Sequence, residues 1–399
     1  MARMSYLPVF VRYIFKGMPG VWKSRHLLIF YWLIFMQVVV PGRKSLKEIS
    51  RYTPFHIPEW RLRRLLKATY WTLEIVITWF ALETVKCFPP PKDGIIYLVG
   101  DSSHKDKRGR ENPAVQKGRK SKNKPRFFGI RFVIIAVCRD VYRIPCSFRI
   151  ILPKDHDEYK KENALFRETV RNFVPPCRAE TVIVIGDSAY CSKENIKMVK
   201  KKNRTDNSCN WFYVFAIART WKTIENKSIK NLATYLPGNL YRRTWIPSLT
   251  GRKRKVFWIF GKRICLRHAG DVTIVLTKKG RNTGPKNTKM IVTNLPEATA
   301  RQVISVYQRR WPAEIIFKEL KSALGPGQHQ VTKDVKRVEK SLGIAVVSYL
   351  FLLRAGKQDI RPGKPWSIFQ LQNNFRTEVI SDQIEHKTEL IIKKLKKAA

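Results

Sequence analysis

The chain has 399 residues and a formal net charge of +48, from 78 Lys and Arg against 30 Asp and Glu. An apolar fraction of 44% is ample for a folded core, and at about 100–200 residues per domain the length allows two or three domains. Such a charge indicates a polyanionic partner, since each Lys or Arg near a phosphate releases a counterion, and the 11 Trp, 14 Tyr and 21 Phe argue against a short basic ribosomal-type protein.

Two long apolar stretches, 27–40 and 70–85, are predicted to be buried helices. The first has about 14 residues, short of the roughly 20 needed to span a bilayer, and contains Gln37. The second carries Glu74 and Glu83.

The start of the chain lacks the layout of a secretory signal. Seven scattered cysteines with no C-x-x-C pair suit a reducing compartment. We therefore expect no membrane partner and a cytoplasmic location.

Residues 1–90 are predicted to be helical. A short helix at 46–51 follows Ser45, with Glu48 at the capping-box offset, and two prolines separate it from a basic helix at 59–67. One interpretation is a helix-turn-helix whose second helix carries Arg61 and Arg64 into a DNA groove. The other is a plain helical hairpin with a solvated basic face. The sequence leaves both open.

Residues 91–205 alternate between strand and helix patterns, as in an α/β unit. A continuous apolar run at 95–99 is typical of a buried central strand. Two hairpin strands, a helix, a strand and a helix follow, at 127–137, 142–152, 160–173, 181–185 and 192–202. This order resembles the ribonuclease-H-like fold of integrases and transposases, with one acid on the first strand and one on the fourth.

The rest of the chain divides into three parts. Residues 206–293 show short β-prone runs without helical periodicity, which predicts an inserted β subdomain. Residues 294–355 return to helix, with a break at Pro312, and are predicted to complete the core. Residues 356–399 are a basic C-terminal region of mixed character, ending in a cationic tail at 393–397 that is expected to fray.

Three acidic residues stand where metal-assisted phosphodiester chemistry needs them. Asp101 and Asp187 each follow Gly at the end of an apolar strand pattern, and Glu314 lies on a helix. Divalent ions activate the nucleophile and stabilise the leaving oxygen, and Mg²⁺ prefers carboxylate oxygens. These three residues are therefore the predicted catalytic and metal-binding groups.

The surroundings of Glu314 supply candidate DNA contacts. If a helix starts near Trp311, Glu314, Lys318 and Lys321 share one face. Tyr307 and Arg310 then fall at the end of the preceding helix, where Arg310 could clamp a phosphate bidentately. Glu319 is a rival to Glu314, but the spacing favours Glu314, and Glu319 is expected to pair with a nearby lysine.

These residues resemble bacterial insertion-sequence transposases of the DDE type, in the group with a YREK signature (insertion-sequence family four). Asp101, Asp187 and Glu314 match the acidic triad in order and context. The four signature positions are Tyr307, Arg310, Glu314 and Lys321. The resemblance covers roughly residues 90–355.

The resemblance implies a ribonuclease-H-like core, two Mg²⁺ ions for which Mn²⁺ can substitute, and cut-and-paste transposition. It also implies cleavage of double-stranded DNA at terminal inverted repeats, strand transfer into target DNA, a homodimer on paired ends, and action in the bacterial nucleoid. Relatives that form DNA hairpins stack a flipped base on an aromatic residue of the insertion, for which Trp245 and Trp258 are candidates.

Two alternatives keep the DNA partner but change the activity. One is a decayed or domesticated relative that binds DNA without cutting it. The other is a related two-metal nuclease without strand transfer. The complete triad argues against the first, and a joining assay with target DNA separates the second from a transposase.

Overall fold

The computed structural model of the protein describes residues 6–20, 22–90, 93–107, 111–119, 126–139, 141–176, 179–247, 254–328, 334–361 and 364–398. Within these ranges, the side chains of 119, 390, 391 and 393–398 are not described. The fold is mixed α/β and is built around one large sheet.

In the part of the chain that the structure describes, five helices precede the first strand: α1 (Val9–Ile14), α2 (Ser24–Val39), α3 (Leu46–Tyr52), α4 (Glu59–Lys67) and α5 (Leu73–Lys86). The helices predicted at 46–51 and 59–67 are confirmed as α3 and α4. The Ser45 hydroxyl accepts the backbone N–H of Glu48 at 3.1 Å and so caps α3. Helix α2 is buried on all sides from Ile29 to Val39, which explains its apolar sequence.

The described residues form ten strands. They are β1 (Ile95–Asp106), β2 (Val115–Arg119), β3 (Arg126–Arg139), β4 (Tyr142–Ile151), β5 (Thr181–Gly186), β6 (Asn210–Ala216), β7 (Arg242–Pro247), β8 (Arg254–Leu266), β9 (Gly270–Lys278) and β10 (Lys289–Thr293). All ten belong to a single sheet in the order β2-β3-β1-β5-β6-β10-β9-β8-β7, with β4 paired to β3 beside β2. Strands β1, β5 and β6 are parallel neighbours, and every other pairing is antiparallel.

The remaining helices are α6 (Glu162–Asn172), α7 (Lys193–Thr205), α8 (Ile229–Tyr235), α9 (Ala300–Gln308), α10 (Trp311–Glu319), α11 (Val335–Ala355) and α12 (Ile368–Ala398). A π-helical turn, Leu320–Leu324, extends α10. Helices α6 and α10 pack on β1 and β3 from opposite sides, since Gly100 meets Phe166 of α6 whereas its neighbour Asp101 meets Arg310 beside α10. The sheet therefore lies between two helical layers.

The strands between the second and third acids extend the same sheet. Strand β6 pairs with β5 in parallel from Thr181↔Asn210 onward, and β10 joins β6 to the antiparallel strands beyond it. A short helix, α8, also lies in this part of the chain, where the sequence showed no helical periodicity. The domain bounds drawn from the sequence remain a prediction.

Strand β1 is longer than predicted. The apolar pattern stops at Val99, but the polar residues that follow continue the antiparallel pairing with β3, from Ser102↔Val133 to Asp106↔Gly129. Asp101 therefore lies in the middle of a strand and not at its end. Backbone hydrogen bonds to β3 extend the strand where the side chains alone gave no strand signal.

The C-terminal residues differ from the mixed structure predicted for 356–399, because they form the 31-residue helix α12. Its Gln372 amide donates to Val38 O at 2.9 Å, and Arg376 donates to Val38 O and Val40 O at 3.0 Å. These donors satisfy carbonyl groups at the C-terminal end of α2. The tail at 393–397, expected to fray, has its backbone in α12, and its side chains lie outside the described residues.

The N-terminal helices share one hydrophobic core with the sheet. The Gln37 amide of α2 donates to Leu324 O at 2.6 Å, and the Lys340 ammonium of α11 donates to Ala68 O at 2.5 Å. In the described part of the chain, no helix combines the length and apolar character needed to cross a membrane.

Candidate active site

Asp101 is fixed by the strand that carries it. It pairs with Ile134 of β3, its carboxylate accepts the Ser102 N–H at 2.8 Å, and its side chain is 15% exposed. The preceding Gly100 is required by close packing, because a Cβ there would lie 2.3 Å from the Phe166 ring. This glycine lets α6 approach the strand.

Asp187 follows β5 directly and turns the chain towards α7. Its carboxylate accepts the Ala189 N–H at 2.8 Å, as in an Asx turn. A Cβ at Gly186 would lie 2.8 Å from the Cβ of Tyr190, so this glycine also serves close packing. The parallel pairing of β1 with β5 brings Asp187 to the same part of the sheet as Asp101.

Glu314 lies in the first turn of α10. The predicted break is confirmed, since α9 ends at Gln308, α10 begins at Trp311, and Pro312 occupies the first turn, where a missing N–H costs nothing. A carboxylate is also favourable at this N-terminal end of the helix dipole. Helix α10 thus presents Glu314 towards β1.

Arg310 joins two of the three acids. Its Nη1 lies 2.9 Å from Asp101 Oδ2, and its Nη2 forms an ion pair with Glu314 Oε1. All three side chains are at least partly buried. The guanidinium thus bridges two carboxylates in this structure, and the predicted bidentate contact of Arg310 with a phosphate stays a prediction.

The third acid lies within electrostatic range of the other two. Burial raises the pKa of Asp101 to about 6, against the lowering effect of Arg310, and the negative charges of Asp187 and Glu314 raise it further. The buried Asp101 carboxylate is therefore repelled by both of the other acids. A bound cation would relieve that repulsion.

The donor set fits a hard divalent cation, because three carboxylates offer oxygen ligands on two strands and a helix. As the side chains stand in the described residues, however, no three His, Cys, Asp or Glu groups lie close enough to share a metal ion. The Arg310 guanidinium occupies the space between Asp101 and Glu314. Arg310 has to withdraw before these two carboxylates can act as ligands.

Tyr307 is nearly enclosed, with 7% of its surface exposed, and its ring faces a lysine that sequence analysis did not single out. The Lys289 ammonium lies 4.4 Å from the centre of this ring. Burial raises the pKa of Tyr307 to about 12, so its hydroxyl stays protonated. No local sequence signal marks Lys289, which is 18 residues away along the chain.

Lys321 and Lys318 have different surroundings. The Lys321 ammonium donates to Ser103 Oγ at 2.7 Å, two residues beyond Asp101 on the same face of β1. Lys318 is exposed, and among the described residues it forms no hydrogen bond or ion pair. Lys321 therefore borders the acids, whereas Lys318 lies free on the surface of α10.

The two N-terminal arginines form no contact with the acids in the described structure. Arg61 and Arg64 are exposed on α4, and Arg61 donates to His56 O at 2.5 Å while its guanidinium lies 5.3 Å from the Trp60 ring.

The two tryptophans considered for stacking a flipped base lie in the strands after β6. Trp245 is 48% exposed and Arg243 lies 5.3 Å from its ring, whereas Trp258 is partly buried.

The expectation for Glu319 was wrong. It pairs with Arg143 of β4, with Nη2 to Oε1 at 2.7 Å, and it also accepts the Tyr349 hydroxyl at 2.9 Å. Both partners are distant in sequence, so helical spacing pointed only to local lysines. This buried cluster, on the turn after Glu314, anchors α10 to β4 and α11.

A second cluster, which no sequence pattern indicated, fixes the loop that follows Asp187. Glu162 accepts the Tyr190 hydroxyl at 2.7 Å and pairs with Arg131 at 2.6 Å. The buried Asn195 amide donates to Asn163 Oδ1 at 2.8 Å and to Tyr190 O at 2.7 Å. These bonds tie the Asp187 loop to α6 and β3.

Carboxylates grouped beside cations that can hold phosphate are what enzymes need to cut and join DNA strands. Residues 101–351 match the family described as Transposase DDE domain, and the chain belongs to this family. The protein is a DNA transposase, which cleaves DNA and transfers strands. Enzymes of this kind generally use divalent metal ions.

Among solved structures, the fold is similar to a cryo-EM structure of a piggyBac transposase synaptic complex with hairpin DNA. The TM-score is 0.47 and the sequence identity 12%, over 94% of this chain and 75% of that one. The comparison with curated proteins found no match.

Proposed function

We propose that this transposase belongs to the YREK-signature group (insertion-sequence family four) and moves its element by cut-and-paste. Its substrates are the terminal inverted repeats and a target duplex, and it acts as a homodimer on paired ends in the bacterial nucleoid. The spacing of Tyr307, Arg310, Glu314 and Lys321 supports the group assignment. The net charge of +48 supports a DNA partner.

The catalytic core is ribonuclease-H-like in this proposal. The strand order β4-β3-β1-β5-β6 supports it, with β3 antiparallel to its neighbours and β1, β5 and β6 parallel. The position of Asp101 on the first strand of this unit and of Asp187 after the fourth also supports this proposal.

Asp101, Asp187 and Glu314 are the proposed catalytic residues, and they would hold two Mg²⁺ ions. The observation that carries this assignment is that Asp101 lies within electrostatic range of both Asp187 and Glu314, and that Arg310 forms ion pairs with Asp101 and Glu314. When bound, the ions activate a water or a 3′-hydroxyl for attack and stabilise the leaving oxygen.

Arg310 and Lys321 are the proposed phosphate contacts beside the acids. A guanidinium released from Asp101 and Glu314 can bind a phosphate through the same two N–H groups, since both partners offer paired oxygens. Lys321, now bonded to Ser103, borders the same face of β1. Lys318 would contact the duplex farther along α10.

Helices α3 and α4 are the proposed DNA-binding element of the N-terminal region. The exposure of Arg61 and Arg64 on one helix supports a phosphate-binding face. We propose that this face holds the duplex away from the cleavage site, because among the described residues no contact links Arg61 or Arg64 to the three acids.

The test uses DNA that carries the coding region with its flanking sequences, incubated with Mg²⁺. Asp187→Asn keeps an oxygen for the Ala189 N–H, and Glu314→Gln keeps the side-chain shape, so both variants should bind the DNA but not cut it. Glu168→Gln is the control, because Glu168 pairs with Lys160 on an exposed surface. Cleavage by either site variant at the rate of the control would overturn the proposed roles.

A further inference from the structure

Lys289 stands at the edge of the sheet where Asp187 lies. It is the first residue of β10, which runs antiparallel to β6 with Ile291 opposite Ala216. Strands β5 and β6 are parallel, with Gly186 opposite Phe215. The start of β10 and the end of β5 therefore meet at one edge, and Lys289 extends from it.

The Lys289 ammonium rests on an aromatic face and has unused hydrogen-bonding capacity. It lies 4.4 Å from the centre of the Tyr307 ring, within the range of a cation–π contact. Among the described residues, this ammonium forms no hydrogen bond and no ion pair, so its three N–H donors remain available. Arg310 is bound to two carboxylates, in contrast, and Lys321 to a hydroxyl.

Lys289 also lies within range of the charges of the site. Burial lowers its pKa, and the positive charge of Arg310 lowers it further, whereas the negative charges of Asp187 and Glu314 act in the opposite sense. A DNA strand that enters here meets three carboxylates that repel its phosphates. A cation at their border offsets that repulsion.

We propose that Lys289, held on the face of Tyr307, binds a backbone phosphate of the DNA strand that enters beside Asp187 and Glu314. In this proposal Tyr307 positions the Lys289 ammonium through the cation–π contact. This inference rests on the proposed function, since it takes the three acids to be the place of cleavage. The ligand is a phosphodiester, because a free ammonium beside acids offers only positive charge and N–H donors.

The test measures DNA binding in EDTA, where no cleavage can occur. The probe is a fluorescein-labelled duplex of about 30 base pairs, titrated between about 50 and 200 mM KCl, where the loss of one phosphate contact lowers the log–log slope by about 1. Lys289→Gln should show that decrease and weaken binding about fivefold at the lower salt. Lys286→Gln is the matched control, because Lys286 is exposed three residues away and contacts Arg219 only through its backbone oxygen.

Tyr307→Leu separates the placement of the ammonium from its charge. If the ring holds Lys289, the two substitutions should not be additive. The loss of binding free energy in the double variant Tyr307→Leu/Lys289→Gln should be smaller than the sum of the losses in the two single variants. Additive losses would contradict the coupling of the two side chains. Far-UV circular dichroism checks that each variant is folded.

Acylation of lysine amines, followed by mass spectrometry, localises the contact. The duplex should protect Lys289 from acylation at least threefold and leave Lys286 unprotected. Equal acylation of Lys289 with and without DNA, or equal affinity of Lys289→Gln and the wild type, would overturn the inference. Since binding is measured without metal, these results do not depend on whether Asp187→Asn and Glu314→Gln abolish cleavage.

Discussion

Asp101 is held in the folded protein in an environment that penalises its charge. Burial dominates, and the neighbouring Asp187 and Glu314 add to it, so the pKa rises to about 6 although Arg310 opposes the rise. In an unfolded chain the value is 3.8. Between these two values the folded protein binds the proton more readily than the unfolded chain.

This difference predicts how stability depends on pH. The free energy of unfolding should rise as the pH falls from 6 towards 4, and this contribution is lost as the pH rises through 6. Asp101→Asn removes the charge, so in EDTA at pH 7 the variant should be more stable than the wild type by about 3 kcal/mol, at 1.36 kcal/mol per pKa unit between 3.8 and about 6. At pH 4 the two proteins should be nearly equal.

Urea denaturation at pH 4 and pH 7 checks this prediction. Asp155→Asn is the control, since Asp155 is exposed and should change the free energy of unfolding little at either pH. A difference between Asp101→Asn and the wild type that stays constant across this pH range would contradict the assignment.

The sequence could locate the acids because their signals are local. The spacing from Tyr307 to Lys321 lies within one short stretch, and the two aspartates each follow an apolar strand pattern. Lys289 and Arg143 could not be located in this way. Their roles depend on which strands become neighbours, and side-chain pattern does not specify strand order in space.

At the scale of elements, the periodicity of apolar residues, together with prolines and capping residues, predicted most helices and strands. Pro312 fixed the start of α10, and the capping residue Ser45 fixed that of α3. The second half of β1 and the helix α12 were missed, because tertiary contacts stabilise them. Strand β1 gains its last residues through pairing with β3, and α12 through its contacts with α2.

The contact between α11 and α5 gives a prediction at this scale. A Cβ at Gly343 would lie 2.1 Å from Leu73 Cδ2 and 2.7 Å from Leu73 Cδ1, so the two helices cross where only glycine fits. Gly343→Ala should lower the free energy of unfolding by about 1–2 kcal/mol, since overpacking outweighs the better helix propensity of alanine.

Thermal or urea unfolding of Gly343→Ala measures this cost. Gly238→Ala is the control, because a Cβ there meets no atom within 4 Å. In a Leu73→Ala background, which removes the opposing side chain, Gly343→Ala should cost less than it does in the wild type. If Gly343→Ala unfolds at the same urea concentration as Gly238→Ala, the helices have room for the methyl group.

At the scale of the whole molecule, charge governs the encounter with DNA. With a net charge of +48, the affinity for non-specific duplex should fall steeply with salt, by about 10³ or more between 50 and 200 mM if 6–10 phosphates are contacted. Fluorescence anisotropy at several KCl concentrations gives the slope. An affinity unchanged over this range would mean that the positive charge is not directed at the duplex.

The sheet and the two helical layers form one structural unit, which composition alone did not predict. The apolar stretch 27–40 was correctly predicted as a buried helix, but its partners come from distant parts of the chain, at Leu324, Gln372 and Arg376. Sequence patterns identify faces that must be buried. They do not identify the surfaces that bury them.

The bonds between α2 and α12 have a consequence for synthesis on the ribosome. Val38 precedes its partner Gln372 by 334 residues, so at about 5–20 residues per second α2 waits roughly 17–67 s for the contact that covers its end. During that time one of the most apolar segments of the polypeptide is without its final neighbours. A product that terminates before α12 therefore lacks the donors that cover the end of α2.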